Sequence, residues 1–201
     1  VRVKLYQCGA EPSGQLSEYP LGLGYLKASS PPGHDVQIVK TREELVDCDL
    51  IGLSSAAHGL REAVEILYSV GIVGTGKGPR AGIPVVLGGQ GALWEPVAQL
   101  PFTYIVQGEG EIAWQDILSE TCPKNRPLRY SPVSNIDALH FPDRGRCGPT
   151  VPILTARGCP WNCAFCTARA QWGGVRYHSV EYVMEEVDYI LGRYPHATGL
   201  Y

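Results

Sequence analysis

The chain has 201 residues, 44% hydrophobic and 18% charged, with a formal net charge of −3, enough for one full globular domain and a fraction of a second. Charge is sparser than the roughly 25% usual in soluble domains, no Lys/Arg block offers a footprint for a nucleic-acid backbone, and no apolar run approaches the roughly 18 residues of a membrane span. The 24 Gly and 16 Pro residues predict abundant loops and close backbone approaches.

In chain order, residues 1–8 read as a strand, followed by a Gly/Pro/Ser-rich loop and a helix over 21–28. Residues 35–40 and 49–54 read as second and third strands. Leu60, Ala63, Val64, Leu67 and Val70 then repeat at helical spacing, which demands a buried face. Residues 71–77 begin like a phosphate loop, but Gly78 stands where Ser or Thr should coordinate magnesium, and Pro79 breaks the helix that should follow. That stretch reads as a surface loop. A fourth strand over 83–87 ends in Gly88-Gly89-Gln90-Gly91 and leads to a helix over 92–100. A fifth over 104–106 runs through Gly108-Glu109-Gly110-Glu111 into a helix carrying Ile112, Ile117 and Leu118.

Five strands alternating with helices predict an α/β fold, a flavodoxin-like doubly wound parallel sheet over residues 1–122. Its ligand site should lie beyond the carboxyl ends of the strands, where the glycine-rich turns fall. Residues 123–150 gather prolines and read as a linker. Residues 151–201 begin a second unit, with a strand over 151–155 and a helix capped by Ser179. The helix should bury Val180, Val183, Met184, Val187, Ile190 and Leu191 and stop at Gly192. The chain opens on Val and stops at Thr198-Gly199-Leu200-Tyr201 as another strand starts, so a piece of a longer, cytoplasmic protein is expected. A fragment this short is not expected to turn over by itself.

Seven cysteines are an odd number, and three of them fall within eight residues, which suits metal ligation in a reducing compartment. Arg157-Gly158-Cys159-Pro160-Trp161-Asn162-Cys163-Ala164-Phe165-Cys166 gives the spacing C-x-x-x-C-x-x-C directly after a strand. Three soft thiolates on a four-iron cube leave one iron open for a substrate. Zinc recruiting Cys147 or His178 as a further ligand, or reduced cysteines holding no metal, are the alternatives.

This spacing, with Arg157-Gly158 before it and Phe165 within it, resembles the signature of radical S-adenosylmethionine enzymes. The resemblance implies that Cys159, Cys163 and Cys166 hold a 4Fe-4S cluster, that S-adenosylmethionine binds the unique iron beside Phe165, and that the cluster cleaves it to a 5′-deoxyadenosyl radical. An external electron donor such as flavodoxin or ferredoxin would serve it, and the substrate would be a small molecule or a peptide.

The preceding region, with Pro20-Leu21-Gly22-Leu23-Gly24-Tyr25-Leu26, Leu87-Gly88-Gly89 and Gly108-Glu109-Gly110-Glu111, resembles the cobalamin-binding domain found before many such barrels. By that resemblance, Ser54, Ser55, Gly88, Gly89, Gly108 and Glu109 contact cofactor, and residues 151–201 are the truncated start of a (β/α) barrel. The D-x-H-x-x-G motif that supplies a histidine to cobalt is absent, because Cys8-Gly9-Ala10-Glu11-Pro12 stands in its place and His58 lies in another loop. Methyl transfer to an unreactive carbon, or other radical chemistry, is the expected activity. A methylthiotransferase whose second cluster uses Cys8, Cys48 and Cys122, and a non-catalytic metal-stapled binding module, are the competing readings. Trp94, Trp114, Trp161 and Trp172 read as packing residues, Trp161 as a shield for the cluster.

Overall fold

The computed structural model describes residues 1–9, 20–71, 82–145 and 147–201, with only the backbone of 70 and 71. The phosphate-loop-like stretch from 72 onward and the middle of the first glycine-rich loop lie outside the described residues.

Six strands form one all-parallel sheet: β1 (Arg2–Cys8), β2 (Asp35–Val39), β3 (Leu50–Ser55), β4 (Val85–Gly88), β5 (Tyr104–Gln107) and β6 (Pro127–Arg129), in the order β2-β1-β3-β4-β5-β6. Parallel strands need crossovers that cover both faces, so their residues are apolar on both sides of the pleat. Ile51, Leu53, Val85, Leu87 and Ile105 point to one face, where Ala63, Ile66 and Leu67 of α2 (Leu60–Ile66) and the turn after it meet them. Leu50, Val86, Tyr104 and Val106 point to the other, under α1 (Leu21–Ala28) and α3 (Glu111–Leu118). Gly52 leaves room for Leu5 on the neighbouring strand, because a Cβ there would stand 2.5 Å from Leu5 Cδ2, while the Trp114 ring of α3 packs over it at ordinary contact distance, 3.5 Å.

The flavodoxin-like expectation holds in strand order, with β1 beside both β2 and β3. Several local expectations do not. Residues 92–100 make two 3-10 segments, Gln90–Leu93 and Glu95–Gln99, broken at Trp94 (ψ 117°): Pro96 has no N–H to continue a helix from the preceding turn, and it sits instead in the first turn of the second segment, where none is needed. The expected linker contributes β6, which pairs with β5 through Val106 and Leu128. The strand expected over 151–155 is instead two short ones, β7 (Thr150–Val151) and β8 (Ala156–Arg157), separated by Pro152 and its neighbours.

After β8 come the cysteine loop, α4 (Ala168–Trp172), β9 (Arg176–Tyr177), α5 (Val180–Arg193) and β10 (Gly199–Leu200). β8 and β9 form an antiparallel ribbon, and β10 pairs in parallel with β7. Ser179 caps α5 as expected, its hydroxyl accepting from the Tyr182 N–H at 3.1 Å. The helix passes through Gly192, and its buried face is Tyr182, Glu186 and Ile190, with Val180, Met184 and Leu191 exposed. Glu186 turns inward because Arg144 waits there, both side chains fully buried in an ion pair. Among the described residues no helix is long and apolar enough to cross a membrane.

Candidate functional site

A cavity of about 660 Å³ lies beyond the carboxyl ends of β1, β3, β4 and β5, around the point where strand order reverses and where doubly wound sheets bind ligands. Ser54, Ser55, Gly88, Gly89 and Gly108 line it, joined by Tyr25 and Trp114 from the helices and by Arg157, Gln171 and Trp172 from the cysteine-loop side. Two glycines keep this space open. A Cβ on Gly22 would meet nothing within 4 Å, and one on Gly88 would meet only the Leu53 carbonyl at 4.0 Å, so side chains there would project into free volume. Gly89 serves the turn itself, at φ +82° with its hypothetical Cβ 2.6 Å from the Ser55 carbonyl oxygen.

Glu109 is the exception among the expected sheet-side contacts. It does not line the cavity, because its carboxylate is taken up by neighbours. Arg176 donates to Oε1 at 2.6 Å and to Oε2 at 3.0 Å, and the Val133 N–H donates at 2.7 Å. Glu111 does line the cavity, with Oε1 2.7 Å from Arg157 Nη1. The Arg157 guanidinium also sits 4.4 Å from the centre of the Tyr25 ring and 5.8 Å from that of Trp172, within cation–π reach. Burial opposes its charge, but Glu111 and Glu109 outweigh that effect and raise its pKa. Burial pushes the Tyr25 phenol up to about 12, with Glu186 adding to the effect.

The three loop thiols follow Arg157 and Gly158. Cys159 is half-buried, while Cys163 and Cys166 are exposed. The Cys166 N–H donates to the Cys163 carbonyl at 3.0 Å, and the Ala168 N–H approaches Cys166 Sγ at 3.5 Å. Among the described residues, no three His, Cys, Asp or Glu side chains are gathered closely enough to hold a metal ion. By donor chemistry the loop nevertheless fits a soft-metal centre: three thiols on one short accessible segment, one sulfur met by a backbone N–H. Phe165 is 92% exposed and Trp161 72% exposed, so neither packs against the loop. Trp114 is buried, whereas Trp94 is exposed.

The alternative ligands lie elsewhere. Cys147 packs with Val151, Ile190 and Tyr194, and His178 Nδ1 is 2.9 Å from Asp137 Oδ1, its ring stacked on Tyr182. Cys8 and Cys48 belong to the core on one face of the sheet and Cys122 to that on the other, which keeps these three from converging on a second cluster. His58 is exposed in a 3-10 turn after β3, beside Gly9. Arg157 and Gln171 join the site without any motif that marks them as cavity residues. The only signal was position, since each flanks the cysteine loop.

Fold and site together define a doubly wound α/β domain whose ligand cavity is roofed by the flanks of a three-cysteine loop. No family model matches the chain. It is 28% identical over 212 residues to an uncharacterized methyltransferase of Pyrococcus horikoshii, covering 84% of this chain and 45% of the relative. With the bacteriochlorophyllide d C-8(2)-methyltransferase of Chlorobaculum tepidum it shares 27% identity, covering 77% of this chain and 37% of that one. The chain thus spans less than half the length of these relatives. Among solved structures, the cobalamin-dependent S-adenosylmethionine radical enzyme OxsB, with aqua-cobalamin and S-adenosylmethionine bound, matches 98% of this chain and 32% of its own at a TM-score of 0.70 and 17% identity. The radical S-adenosylmethionine methyltransferase TsrM of Kitasatospora setae matches 96% of this chain and 46% of its own at a TM-score of 0.56 and 16% identity. These likenesses establish the fold.

Proposed function

We propose that the chain comprises the corrinoid-binding domain and the start of the catalytic domain of a cobalamin-dependent radical S-adenosylmethionine methyltransferase. The observation that carries this reading is a single cavity bounded on one side by the glycine-edged strand ends and on the other by the residues flanking C-x-x-x-C-x-x-C. The methyltransferase relatives and the fold of the solved neighbours support it.

Cys159, Cys163 and Cys166 would hold a 4Fe-4S cluster, and Ser54, Ser55, Gly88, Gly89 and Gly108 would contact cobalamin. Bound there, the two groups supply reductive cleavage of S-adenosylmethionine and carriage of a methyl group to an unreactive carbon of a small molecule or peptide. The chain's own residues bind and shield. Gly22 and Gly88 leave the room in which a corrinoid would be held. Tyr25, Trp114 and Trp172 exclude water from the inner wall. Exposure of Cys163 and Cys166 leaves their loop accessible to a one-electron donor such as flavodoxin or ferredoxin.

Anaerobic reconstitution with iron and sulfide, followed by hydroxocobalamin, tests the reading. The expected result is a broad visible absorption that Cys163→Ala abolishes, together with retention of hydroxocobalamin through gel filtration. Uptake of zinc alone, or of iron with no corrinoid, overturns it.

A further inference from the structure

The cysteine loop, residues 158–167, is held at both ends by one turn of the sheet domain. In front, Arg157 Nη1 lies 2.7 Å from Glu111 Oε1 and 3.7 Å from Glu109 Oε1. Behind, Gln171 in α4 donates from Nε2 to the Gly108 carbonyl at 2.7 Å. Arg176 closes the frame. It is the register partner of Arg157 across the β8–β9 ribbon, and its guanidinium grips Glu109 through both Nη atoms. All these attachments converge on the four residues 108–111, between β5 and α3.

Three members of the frame also line the cavity: Glu111, Arg157 and Gln171. Each is at least nine-tenths buried, and each keeps a buried polar atom with no hydrogen-bond partner, namely Glu111 Oε2, Arg157 Nε and Gln171 Oε1. Buried polar atoms are costly to leave unpaired. These atoms are shut off from the cavity as well as from solvent, so an occupant meets the three residues by packing on the faces that line it.

We propose that the 108–111 turn is a positioning device that couples the cavity to the cysteine loop. A cavity occupant that packs on Glu111, Arg157 and Gln171 fixes the side chains that anchor the loop, and thereby orders residues 158–167. The coupling rests on the corrinoid reading, whereas the clamp itself does not. Because coupling between two sites is reciprocal, a loop organised around a cluster must bind the cavity's occupant more tightly by the same factor.

Hydrogen exchange read by mass spectrometry on the whole chain tests both parts. In the iron-free protein, amides of 158–167 exchange about tenfold faster in Gln171→Leu and in Glu111→Gln than in wild type, while β1 and β3 keep their protection. No acceleration at 158–167, or an equal acceleration everywhere, overturns the clamp. In the reconstituted wild-type protein, hydroxocobalamin slows exchange at 158–167, and the cluster lowers the Kd for hydroxocobalamin about fivefold, the lower end of typical couplings. This second measurement needs no variant, so misfolding of either substitution leaves the proposal exposed to refutation. Binding of both groups with unchanged exchange and unchanged Kd overturns the coupling and leaves the corrinoid reading standing. Failure of the wild type to take up hydroxocobalamin overturns that reading and the coupling together, and the iron-free comparison still decides the clamp.

Discussion

Arg144 and Glu186 are paired with neither side chain exposed to solvent. Arg144 also donates from Nε to the Pro152 carbonyl at 2.9 Å and from Nη1 to the Pro142 carbonyl at 3.3 Å, so one guanidinium fastens the segment after β6 to α5. Removing one member of a buried pair strands the other charge, at a cost of about 3–5 kcal/mol. Arg144→Met is expected to lose about that much stability in urea denaturation, and the double variant Arg144→Met/Glu186→Leu to recover most of it. Equal losses in single and double variants would contradict this account.

Gly88 and Gly89 are neighbours with opposite expectations. Gly88→Val projects into free space, so it should fold normally yet weaken hydroxocobalamin binding at least about tenfold, equivalent to about 1.4 kcal/mol. Gly89→Ala must adopt φ +82° against the Ser55 backbone, a strain of about 1–3 kcal/mol. Thermal melting and equilibrium binding separate the two effects. A normal melting temperature for Gly89→Ala would count against the turn geometry.

Stability should fall in alkali. Burial, reinforced by Glu62, pushes the Cys8 thiol from 9.0 up to about 12. The hydrogen bond to Asp116, with burial, pushes Tyr130 from 10.0 to about 12, and burial raises Tyr25 likewise. Above about pH 9 the unfolded chain releases protons that the folded chain keeps. The stabilisation is therefore complete below that pH and is lost as pH rises toward 12. Melting temperatures between pH 8 and 12 check the slope, which Cys8→Ala should make shallower.

Ser179→Ala removes the hydroxyl that accepts from the Tyr182 N–H and should cost about 1 kcal/mol in urea denaturation. Ser179→Asp, which supplies another capping oxygen, should recover most of the loss.

Five of the six sheet strands were legible because a parallel strand covered on both faces reads as a short continuous apolar run. β6 was not: it has three residues, one of them Pro127, in a stretch whose prolines signal a loop. The cavity's position followed from the strand order alone. Its roof did not, since Arg157, Gln171 and Glu111 are polar types usually read as solvated, and only tertiary contacts bury them. The α5 face was misjudged for the same reason. Glu186 is inward because a distant arginine is there, a pairing that no periodicity of the helix encodes. Glu109 was expected at the cofactor, but its partners Arg176 and Val133 lie far along the chain, and they draw it away from the cavity.

The central seat of β1 also sets a constraint on how the molecule is made. Val3 is in register with both Val36 and Leu50, so the first strand leaves the ribosome with neither neighbour yet synthesised. Its apolar edge stays uncovered until residue 55 has emerged, and every later strand adds only by a long-range closure. Slow maturation is the natural cost of that order.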